Sequence, residues 1–563
     1  MDVVYFIVLV GVLIFVHELG HFACAKFFGV RVLTFSLGFG PRLVGFTRGG
    51  TEYVLAAFPL GGYVRMLGES PYDDVREEDR GRSFAEQALY KRVIIVCAGP
   101  AMNLAFPLVL FFVVFLGDAT ATPAVIGTVF PDRPADGVLE PGDRVVRADG
   151  DDVHTFYQLA RIIHANPEQP IELVIERDGE RRTVTVTPAL ARSARPLGLY
   201  DEVGRVGIKP HHPLAVIGVM SPSSPAASAR LRTFDRIIAA GGVPIERWID
   251  LELPIGRNRG GMVPLTYMRP TRVESALGGL VELEIYEPHV ATLTPEPGPG
   301  DGLTRAGLEP VDLYVSQVTA RASGEDAGIR PGDRLVMLDD RPIRLWATFV
   351  EDVEARPDEV HELVWRRGDQ LVTRRYRLRA ARAASGEGDD QRVVVAHATT
   401  GEPLGALAHW RPTSLDAAIP NPSPIGYAVE QSLRITAELV ELTVFSVVRL
   451  FQGELSVDSV GGVIQVFEAT STAAREGALN YLSLMAFISI NLGLINLLPI
   501  PMLDGGHLAF FFVEAVARRP VSTRARELAS LVGLVVLVLL MVLAFKNDLE
   551  RQWPRIEEML EAE

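Results

Sequence analysis

Four stretches of the chain are almost continuously apolar, and each is close in length to a helix that crosses a membrane. They are Val3 to Phe28, Val93 to Leu116, Tyr481 to Leu498 and Leu528 to Phe545. A bilayer core is spanned by about 20 consecutive apolar residues in a helix. The pattern therefore predicts a multi-pass α-helical membrane protein with four transmembrane helices.

The basic residues between these spans predict the orientation of the chain. Lys and Arg are concentrated in the loop between the first and second spans and in the loop between the third and fourth. Because loops of this kind remain on the cytoplasmic side of a membrane, both are expected there. The long segment from residue 118 to residue 480 is then expected on the opposite, outer side of the membrane.

The outer segment has a β-rich pattern, and part of this pattern repeats. An aspartate followed by arginine and apolar residues recurs at intervals of roughly 100 residues, which is a domain-sized period. The three aspartates are Asp143, Asp235 and Asp333. Glycine precedes the first and the third, whereas Phe234 precedes the second. The repeat predicts an inserted array of three β-rich modules.

These patterns divide the chain into six regions, with Pro295 to Gly302 as a Pro- and Gly-rich linker between the second and third modules. The stretch from Gly426 to Phe451 has helical periodicity, and it fits a helix at the membrane interface as well as one packed on the protein. The regions are an N-terminal membrane core (1–117), three modules (118–200, 201–297 and 298–412), an amphipathic juxtamembrane region (413–480) and a C-terminal membrane core (481–563).

Composition excludes some classes of protein. Lys and Arg number 55 against 70 Asp and Glu, for a formal net charge of −15. A nucleic-acid binder that relies on an overall basic field is therefore not expected. The two cysteines, Cys24 and Cys97, are too few for a disulfide framework or a thiolate zinc site.

The first span contains a polar motif. His17, Glu18 and His21 form the pattern H-E-x-x-H. The two imidazoles are one helical turn apart on the same face, so both can bind one metal ion while the glutamate acts on water. Polar side chains inside an apolar span are costly and functional by default. We therefore predict a metal site in this helix.

A catalytic zinc site has three protein ligands and an open position, so a third ligand is required. Asp504 is the candidate, because it follows the third span in a segment whose prolines break the helix and whose glycines permit a sharp turn. Two histidines and a carboxylate suit Zn2+. His507 is compatible both with a place beside the metal and with an ordinary helix start. Another pair, His211 and His212, is expected to be solvated loop surface.

With these residues in view, the chain resembles the site-2 protease family of intramembrane zinc metalloproteases. That family combines H-E-x-x-H in the first span with N-x-x-P-x-P-x-L-D-G in the third. Three further segments resemble its bacterial branch, the one that contains the regulator of sigma-E protease. They are Phe35 to Pro41 (FSLGFGP), Pro59 to Leu67 (PLGGYVRML) and Ala98 to Asn103 (AGPAMN). The middle of the chain resembles PDZ domains of the bacterial protease type.

The resemblance implies roles for single residues. His17, His21 and Asp504 would bind the Zn2+ cofactor, and Glu18 would be the catalytic acid and base. Asn496 matches the motif asparagine that is implicated in substrate handling. One departure concerns the modules, because close bacterial relatives typically carry two PDZ domains and this chain has the pattern for three.

The expected function is that of an intramembrane endopeptidase in the bacterial plasma (inner) membrane, with its active site toward the cytoplasmic side. Its substrates would be single-span membrane proteins such as anti-sigma factors, and the PDZ-like array would limit access until the outer domain of a substrate has been trimmed. The other expected partners are the lipid bilayer and peptide ligands of the PDZ-like modules, with no nucleic acid.

A helical substrate must unwind locally before it is cut, because its carbonyl groups are engaged in the helix. The region from Leu33 to Val64 has turn glycines and β-prone runs. Its edge is a candidate to pair with an extended substrate. The region is expected to be a membrane-associated β-hairpin. A cytoplasmic β-hairpin with a purely structural role is the alternative.

Two other classes of function compete with the protease. A membrane-anchored PDZ scaffold or chaperone with a structural metal site is one, although it would have no need for Glu18. A zinc transporter is the other, and it would require polar residues along several spans. The second and fourth spans have almost none.

Overall fold

A computed structural model of the chain describes residues 1–69, 76–118, 120–195, 199–258, 260–274, 282–320, 328–382, 391–409, 413–454, 456, 461–519 and 521–561. The chain divides into two compact units. We call the first the helical unit, and it comprises Met1–Ala119, Arg195–Leu199 and Asn421–Glu563. The second, the β-rich unit, comprises Thr120–Ala194 and Tyr200–Pro420.

Long helices dominate the helical unit. In chain order the α-helices of the described residues are α1 (Asp2–Phe27), α2 (Leu89–Leu116), α3 (Phe156–Ala165), α4 (Pro225–Ser228), α5 (Gly302–Ala306), α6 (Trp346–Ala355), α7 (Pro424–Gln452), α8 (Val463–Glu476), α9 (Ala478–Asn496), α10 (Asp504–Ala517) and α11 (Thr523–Glu561). Within the part of the chain that the structure describes, four segments are able to cross a membrane by length and composition: Asp2–Phe27, Leu89–Leu116, Ala478–Asn496 and Arg524–Trp553. They overlap the four apolar stretches of the sequence and identify a membrane protein.

Strands occur in both units, and the first two in the chain belong to the helical unit. The strands of the described residues are β1 (Val32–Arg48), β2 (Thr51–Met66), β3 (Thr120–Ala121), β4 (Thr128–Val129), β5 (Arg144–Ala148), β6 (Asp151–Asp152), β7 (Ile171–Arg177), β8 (Glu180–Val186), β9 (Ala189–Arg195), β10 (Leu199–Arg205), β11 (Ile208–Lys209), β12 (His212–Pro213), β13 (Ile217–Val219), β14 (Arg236–Ala240), β15 (Val243–Pro244), β16 (Val263–Glu274), β17 (Glu282–Leu293), β18 (Leu308–Pro310), β19 (Val315–Ala320), β20 (Arg334–Leu338), β21 (Arg341–Pro342), β22 (Val360–Arg367), β23 (Gln370–Arg382), β24 (Gln391–His397), β25 (Pro403–His409), β26 (Thr413–Ser414) and β27 (Ile419–Pro420).

Helices α1 and α2 cross at close range beside the sequence motif. A Cβ atom at Gly20 would overlap the backbone carbonyl of Ala98. Glycine at such a crossing lets two membrane helices approach closely. Farther along, Leu9 and Leu13 of α1 share a buried apolar cluster with residues of α2 and α9, including Ile490. The crossing brings α2 beside the two histidines of α1.

The region between α1 and α2 folds as a β-hairpin, as the sequence suggested. β1 and β2 pair in antiparallel fashion and are joined at Gly49 and Gly50, both of which have positive φ. The strands bend back on themselves, so that Phe35 lies opposite both Tyr53 and Val64. The hairpin packs on α1, since the rings of Phe35 and Tyr53 both contact Phe22. It also exposes several apolar side chains, namely Phe39, Leu43, Val44, Phe46 and Phe58.

The amphipathic segment after the modules forms helix α7, which packs on the helical unit. Tyr427 contacts the ring of Phe115 in α2, and the Thr443 hydroxyl donates to Asn491 Oδ1 in α9 at 3.2 Å. This is the packed arrangement of the two that the sequence left open. Apolar side chains of α7 nevertheless remain exposed, including Ile425, Leu433, Val444 and Val448.

The β-rich unit contains three bodies, each with its own apolar core. The cores lie within residues 124–208, 215–308 and 313–407. The main sheets have the strand orders β6-β5-β7-β8, β15-β14-β16-β17 and β19-β25-β24-β23-β22-β20-β21. In each body the strand that follows the repeated aspartate pairs with the next long strand, as β5 with β7, β14 with β16 and β20 with β22.

The repeated aspartate has the same partners in every body. Its side chain is buried and pairs with an arginine 34 residues later. It also accepts a backbone N–H from the residue three positions before it. The aspartate raises the pKa of its arginine, so the arginine remains charged. The pairs are Asp143 with Arg177, Asp235 with Arg269 and Asp333 with Arg367, at 2.6, 2.7 and 2.6 Å.

Two local expectations differ from the structure. Leu303, Ala306 and Leu308 belong to the core of the second body, so the chain stays with that body beyond the predicted linker. The solvated loop predicted at the second histidine pair is wrong for His212, which is 1% exposed. Its Nε2 lies 2.9 Å from the carboxylate of Asp416, because the short strand β12 pairs with β26.

Candidate metal centre and active site

The two histidines of the motif meet on one face of α1. His17 Nε2 and His21 Nε2 lie 3.2 Å apart. This is the arrangement that the spacing of four residues predicts, because side chains one turn apart project from the same side of a helix. Both side chains are largely shielded from solvent. The two ring nitrogens therefore converge on one point.

Asp504 reaches the same point from the far end of the chain. It is the first residue of α10, where the positive end of the helix favours a carboxylate. The turn before it is tight, because Cβ atoms at Gly505 and Gly506 would overlap backbone atoms of residues 497–501. Asp504 Oδ2 lies 3.2 Å from His17 Nε2 and 3.4 Å from His21 Nε2.

The three atoms form a triangle of the size that a zinc ion requires. Among the described residues, His17, His21 and Asp504 are a group of side chains able to hold a metal ion. Ligands arranged tetrahedrally around zinc at about 2.0–2.1 Å lie roughly 3.3 Å from one another. The observed separations of 3.2, 3.2 and 3.4 Å match that value. The donor set therefore fits zinc in both chemistry and spacing.

Helix α2 supplies the groups behind the two histidines. His21 Nδ1 lies 2.9 Å from the backbone carbonyl of Ile95, and His17 Nδ1 lies 3.3 Å from the side-chain amide of Asn103. Between them, a Cβ atom at Gly99 would overlap the ring of His21 and lie 2.9 Å from His17 Cε1. Only a glycine leaves room for both rings at this position.

Glu18 is held beside the histidines by the hairpin. The strand β2 passes close to its side chain at Gly62. Glycine is needed nearby, because a Cβ atom at Gly62 would lie 3.1 Å from Glu18 Cγ and 2.8 Å from a methyl of Ile14. Glu18 thus lies between β2 and the histidine pair.

These residues line one cavity of about 780 Å³. His17, Glu18, His21 and Asp504 are on its wall, together with Asn496 at the end of α9 and His507 in α10. All five residues predicted for the site therefore border the same space. His507 lies in the first turns of α10, as a helix start requires, and it borders the cavity.

An ion pair joins α10 to α2 at the edge of the same cavity. Arg92 of α2 contacts Glu514 of α10 at 2.6 Å, and its guanidinium lies over the ring of Phe511. Both charged side chains are largely buried. Because α10 begins with Asp504, this pair holds the helix that carries the carboxylate donor against the helix that supports the histidines.

The structure thus has the H-E-x-x-H motif inside a bundle of apolar helices, with a third donor from a distant helix. This combination defines the class of membrane metallopeptidases. The model of Peptidase family M50 matches residues 5–540. The chain belongs to this family, and it is a metalloprotease. The resemblance to the site-2 protease family that the motifs suggested is thereby confirmed.

Relatives match the chain over nearly its whole length. The regulator of sigma-E protease RseP of Escherichia coli (strain K12) is 29% identical over 565 residues, which is 98% of this chain and 98% of that protein. A protein of Vibrio cholerae serotype O1, named as a zinc metalloprotease, is 28% identical over 551 residues, with 97% of this chain and 98% of that protein covered.

Among solved structures, a PDZ domain of the SdrC-like protein from Listeria innocua is similar to a small part of the chain. It is 18% identical, covers 16% of this chain and 91% of that chain, and has a TM-score of 0.13.

Sequence reasoning missed the contribution of α2. Asn103, Gly99 and the carbonyl of Ile95 all touch the histidines, although the second span was expected to have almost no polar residues. Asn103 offered a signal, because a polar side chain in a membrane helix is functional by default. The carbonyl of Ile95 offered none, since every residue carries one.

Proposed function

We propose that this protein is an intramembrane zinc metalloendopeptidase that cleaves transmembrane segments of single-span membrane proteins. The observation that carries the proposal is the convergence of His17, His21 and Asp504, with zinc-like spacing, inside a bundle of apolar helices and beside Glu18. A structural metal site would have no use for an acid and base at that position.

The residues of the site have different roles in hydrolysis. His17, His21 and Asp504 hold the zinc. When bound, zinc polarises a carbonyl group and makes water more acidic. Glu18 accepts a proton from the attacking water and returns it to the amine that leaves. The strand β2 lies beside this side chain, with Gly62 close to Glu18 Cγ.

We further propose that the substrate lies extended along the hairpin. A peptide bond inside a helix is protected by its own hydrogen bonding, so the segment to be cut has to unwind first. β2 borders the cavity through Gly62, Tyr63 and Val64. Its backbone is a suitable template for strand addition. Asn496 lines the same cavity and handles the substrate beside the cut bond.

The setting and the substrates follow from the family. We propose that the enzyme lies in the bacterial inner membrane, with its active site toward the cytoplasm and the β-rich unit on the periplasmic side. Its substrates are anti-sigma factors or similar regulators, which agrees with the relative named as a regulator of sigma-E protease. The three bodies are PDZ-like modules that exclude substrates whose outer domains have not been trimmed.

The test is cleavage of a tagged single-span substrate in a membrane host, with and without its outer domain. Wild type is compared with Glu18→Gln, which keeps the shape of the side chain and removes its ability to take a proton. We expect wild type alone to cut, and to cut the trimmed substrate faster. A general acid and base contributes about 10²–10⁴-fold, so the variant should lose at least a hundredfold in rate.

The result has clear alternatives. Equal cutting by both proteins would contradict the role of Glu18 and indicate a protease of the host. A wild type that binds one zinc but leaves a panel of trimmed single-span substrates intact would favour a structural metal site. Equal rates on trimmed and untrimmed substrates would support the protease and contradict the exclusion by the modules.

A further inference from the structure

The histidines of the site each have a second ring nitrogen that points away from the other donors. An imidazole that offers the Nε2 lone pair to a metal carries its proton on Nδ1, so that nitrogen must donate a hydrogen bond. For His21 the acceptor is the backbone carbonyl of Ile95, at 2.9 Å. His17 needs an acceptor of the same kind.

Asn103 is the side chain that faces His17 Nδ1. It is 0% exposed, and its Nδ2 lies 3.3 Å from that nitrogen. Its Oδ1 is buried without a hydrogen-bond partner among the described residues. In this orientation of the amide, the N–H groups of Asn103 Nδ2 and His17 Nδ1 would face each other, while the buried Asn103 Oδ1 accepts no hydrogen bond. A buried polar atom without a partner costs about 1–3 kcal/mol.

One rotation of the amide removes both difficulties. The oxygen and nitrogen of an asparagine amide exchange places by a half turn about the Cβ–Cγ bond. In the turned orientation Oδ1 faces His17 Nδ1 and accepts its proton, so the unpaired acceptor becomes the partner that the metal-binding form of the ring requires. The backbone of Asn103 is meanwhile held by Ser489 of α9, whose hydroxyl donates to its carbonyl at 2.8 Å.

We propose that Asn103 is a positioning residue of the metal centre. Its amide oxygen accepts the Nδ1 proton of His17, which leaves the Nε2 lone pair free and aims the ring at the point shared with His21 and Asp504. The inference rests on the proposed zinc site and adds a residue to it. It also gives the polar side chain in the second span a chemical reason for being there.

A purely structural role for Asn103 makes a different prediction. Asparagine in a membrane helix can serve the contact between α2 and α9 without any influence on the metal. In that case the affinity for zinc would not depend on which hydrogen-bonding groups residue 103 offers. The two roles are therefore separated by metal binding and not by activity.

The experiment measures zinc affinity of the purified full-length protein in lipid nanodiscs, by competition with a chromophoric chelator. Asn103→Leu removes both hydrogen-bonding groups at similar volume, and Asn103→Asp keeps only acceptors. Asn491→Leu is the matched control, because Asn491 is also an asparagine of a spanning helix but contacts Phe487 and Thr443 instead of the histidines. Loss of a partner behind a metal ligand typically weakens metal binding about 10–100-fold.

We expect Asn103→Leu to bind zinc 10–100-fold more weakly than wild type, and Asn103→Asp and Asn491→Leu to bind within about threefold. Wild-type affinity in Asn103→Leu would overturn the inference. An Asn103→Asp protein that binds zinc as weakly as the leucine variant would also overturn the inference, because residue 103 would then be needed as a hydrogen-bond donor. That outcome for Asn103→Asp would overturn the inference even if the leucine variant did not fold.

The same measurement separates this inference from the proposed function. Zinc binding by wild type with unchanged affinity in both Asn103 variants leaves the protease proposal intact and overturns the role of Asn103. A wild-type protein that binds no zinc overturns both.

Discussion

Gly99 is a residue whose importance comes from the absence of a side chain. It lies in α2 behind the two histidines, where a Cβ atom would overlap the His21 ring. The rings face Asp504 on their other side, at 3.2 and 3.4 Å. A ring displaced by a methyl group at residue 99 could not keep both distances. The position of the donors is thus set by a neighbouring helix as well as by the motif.

We predict that Gly99→Ala weakens zinc binding by about 10–100-fold, as other losses of support behind a metal ligand do. The physical reason is displacement of the His21 ring from the point shared with Asp504. Bound zinc per protein, measured after dialysis against a graded series of chelator concentrations, checks the expectation.

Gly11→Ala is the control for this prediction. Gly11 also lies in a spanning helix, but nothing lies within 4 Å of the Cβ atom that would be added there. Alanine in a helix interior is favoured over glycine by up to about 1 kcal/mol, so this variant should keep its zinc. Equal zinc content in the two variants would contradict the steric argument.

The three β-rich bodies are variations on one element, a strand that starts at a buried aspartate. The residue before the aspartate has a left-handed backbone in each, with φ of 98° at Gly142, 78° at Phe234 and 88° at Gly332. A side chain in this conformation costs roughly 1–2 kcal/mol. The ring of Phe234 packs against Val216, Val311 and Tyr314, and this burial offsets the strain.

Tyr314 shows that the second and third bodies share this contact. Its ring is buried, and its hydroxyl donates to Glu309 at 2.6 Å. Burial, followed by the charge of Glu309, raises the pKa of the tyrosine, so the phenol stays protonated. The departure at Phe234, which makes the second repeat differ from the other two, therefore reflects a contact of its ring between the second and third bodies.

We predict that Asp235→Ala lowers the free energy of unfolding of the second body by about 3–5 kcal/mol, because it leaves a largely buried arginine without its partner. Arg269 is only 16% exposed. Limited proteolysis of the full-length protein, with the cuts mapped by mass spectrometry, should show new cleavage within residues 215–308.

An exposed ion pair provides the matched control. Arg147 and Asp152 lie 3.4 Å apart with side chains 54% and 69% exposed. Such a pair contributes about 0–1 kcal/mol, so Asp152→Ala should leave the proteolysis pattern of the first body unchanged. Similar new cleavage in both variants would mean that burial is not the reason why the repeated pair stabilises its body.

At the scale of the whole molecule, the β-rich unit begins and ends at one place. β3 at its start pairs with β27 at its end, with Ala121 opposite Ile419 and Thr120 opposite Pro420. Directly opposed residues of antiparallel strands have Cα atoms about 4.5–5.5 Å apart. The two ends of the unit are therefore adjacent, and a short linker can join residue 121 to residue 419.

We predict that a protein in which a short Gly/Ser linker replaces residues 122–418 still binds zinc, because every residue assigned to the metal centre lies in the helical unit. If the three bodies exclude untrimmed substrates, the shortened protein should cut an untrimmed single-span substrate about tenfold faster or more, which corresponds to at least 1.4 kcal/mol of the barrier.

The comparison uses membrane vesicles that contain equal amounts of each enzyme. The shortened protein with Glu18→Gln serves as the control and should be inactive. Faster cutting of both trimmed and untrimmed substrates to the same extent would mean that the bodies restrain catalysis in general and do not select substrates by size.

The sequence alone identifies the parts of this protein whose physics is local. Apolar runs of membrane length define the four spans, and a spacing of four residues in a helix places His17 and His21 on one face. The repeated Asp-Arg pattern marks three β-rich bodies, because each begins the same buried strand. Each of these features depends on residues close together in the chain.

The convergence of the site depends on packing between helices that are distant in the chain. The close crossing at Gly20, the turn before α10 and the Arg92–Glu514 pair bring Asp504 to the histidines, and no spacing rule encodes those distances. The support from Ile95 and Asn103 arises in the same way, since it needs α2 to lie behind α1. Local periodicity selects the donors, and the approach of the helices determines where those donors meet.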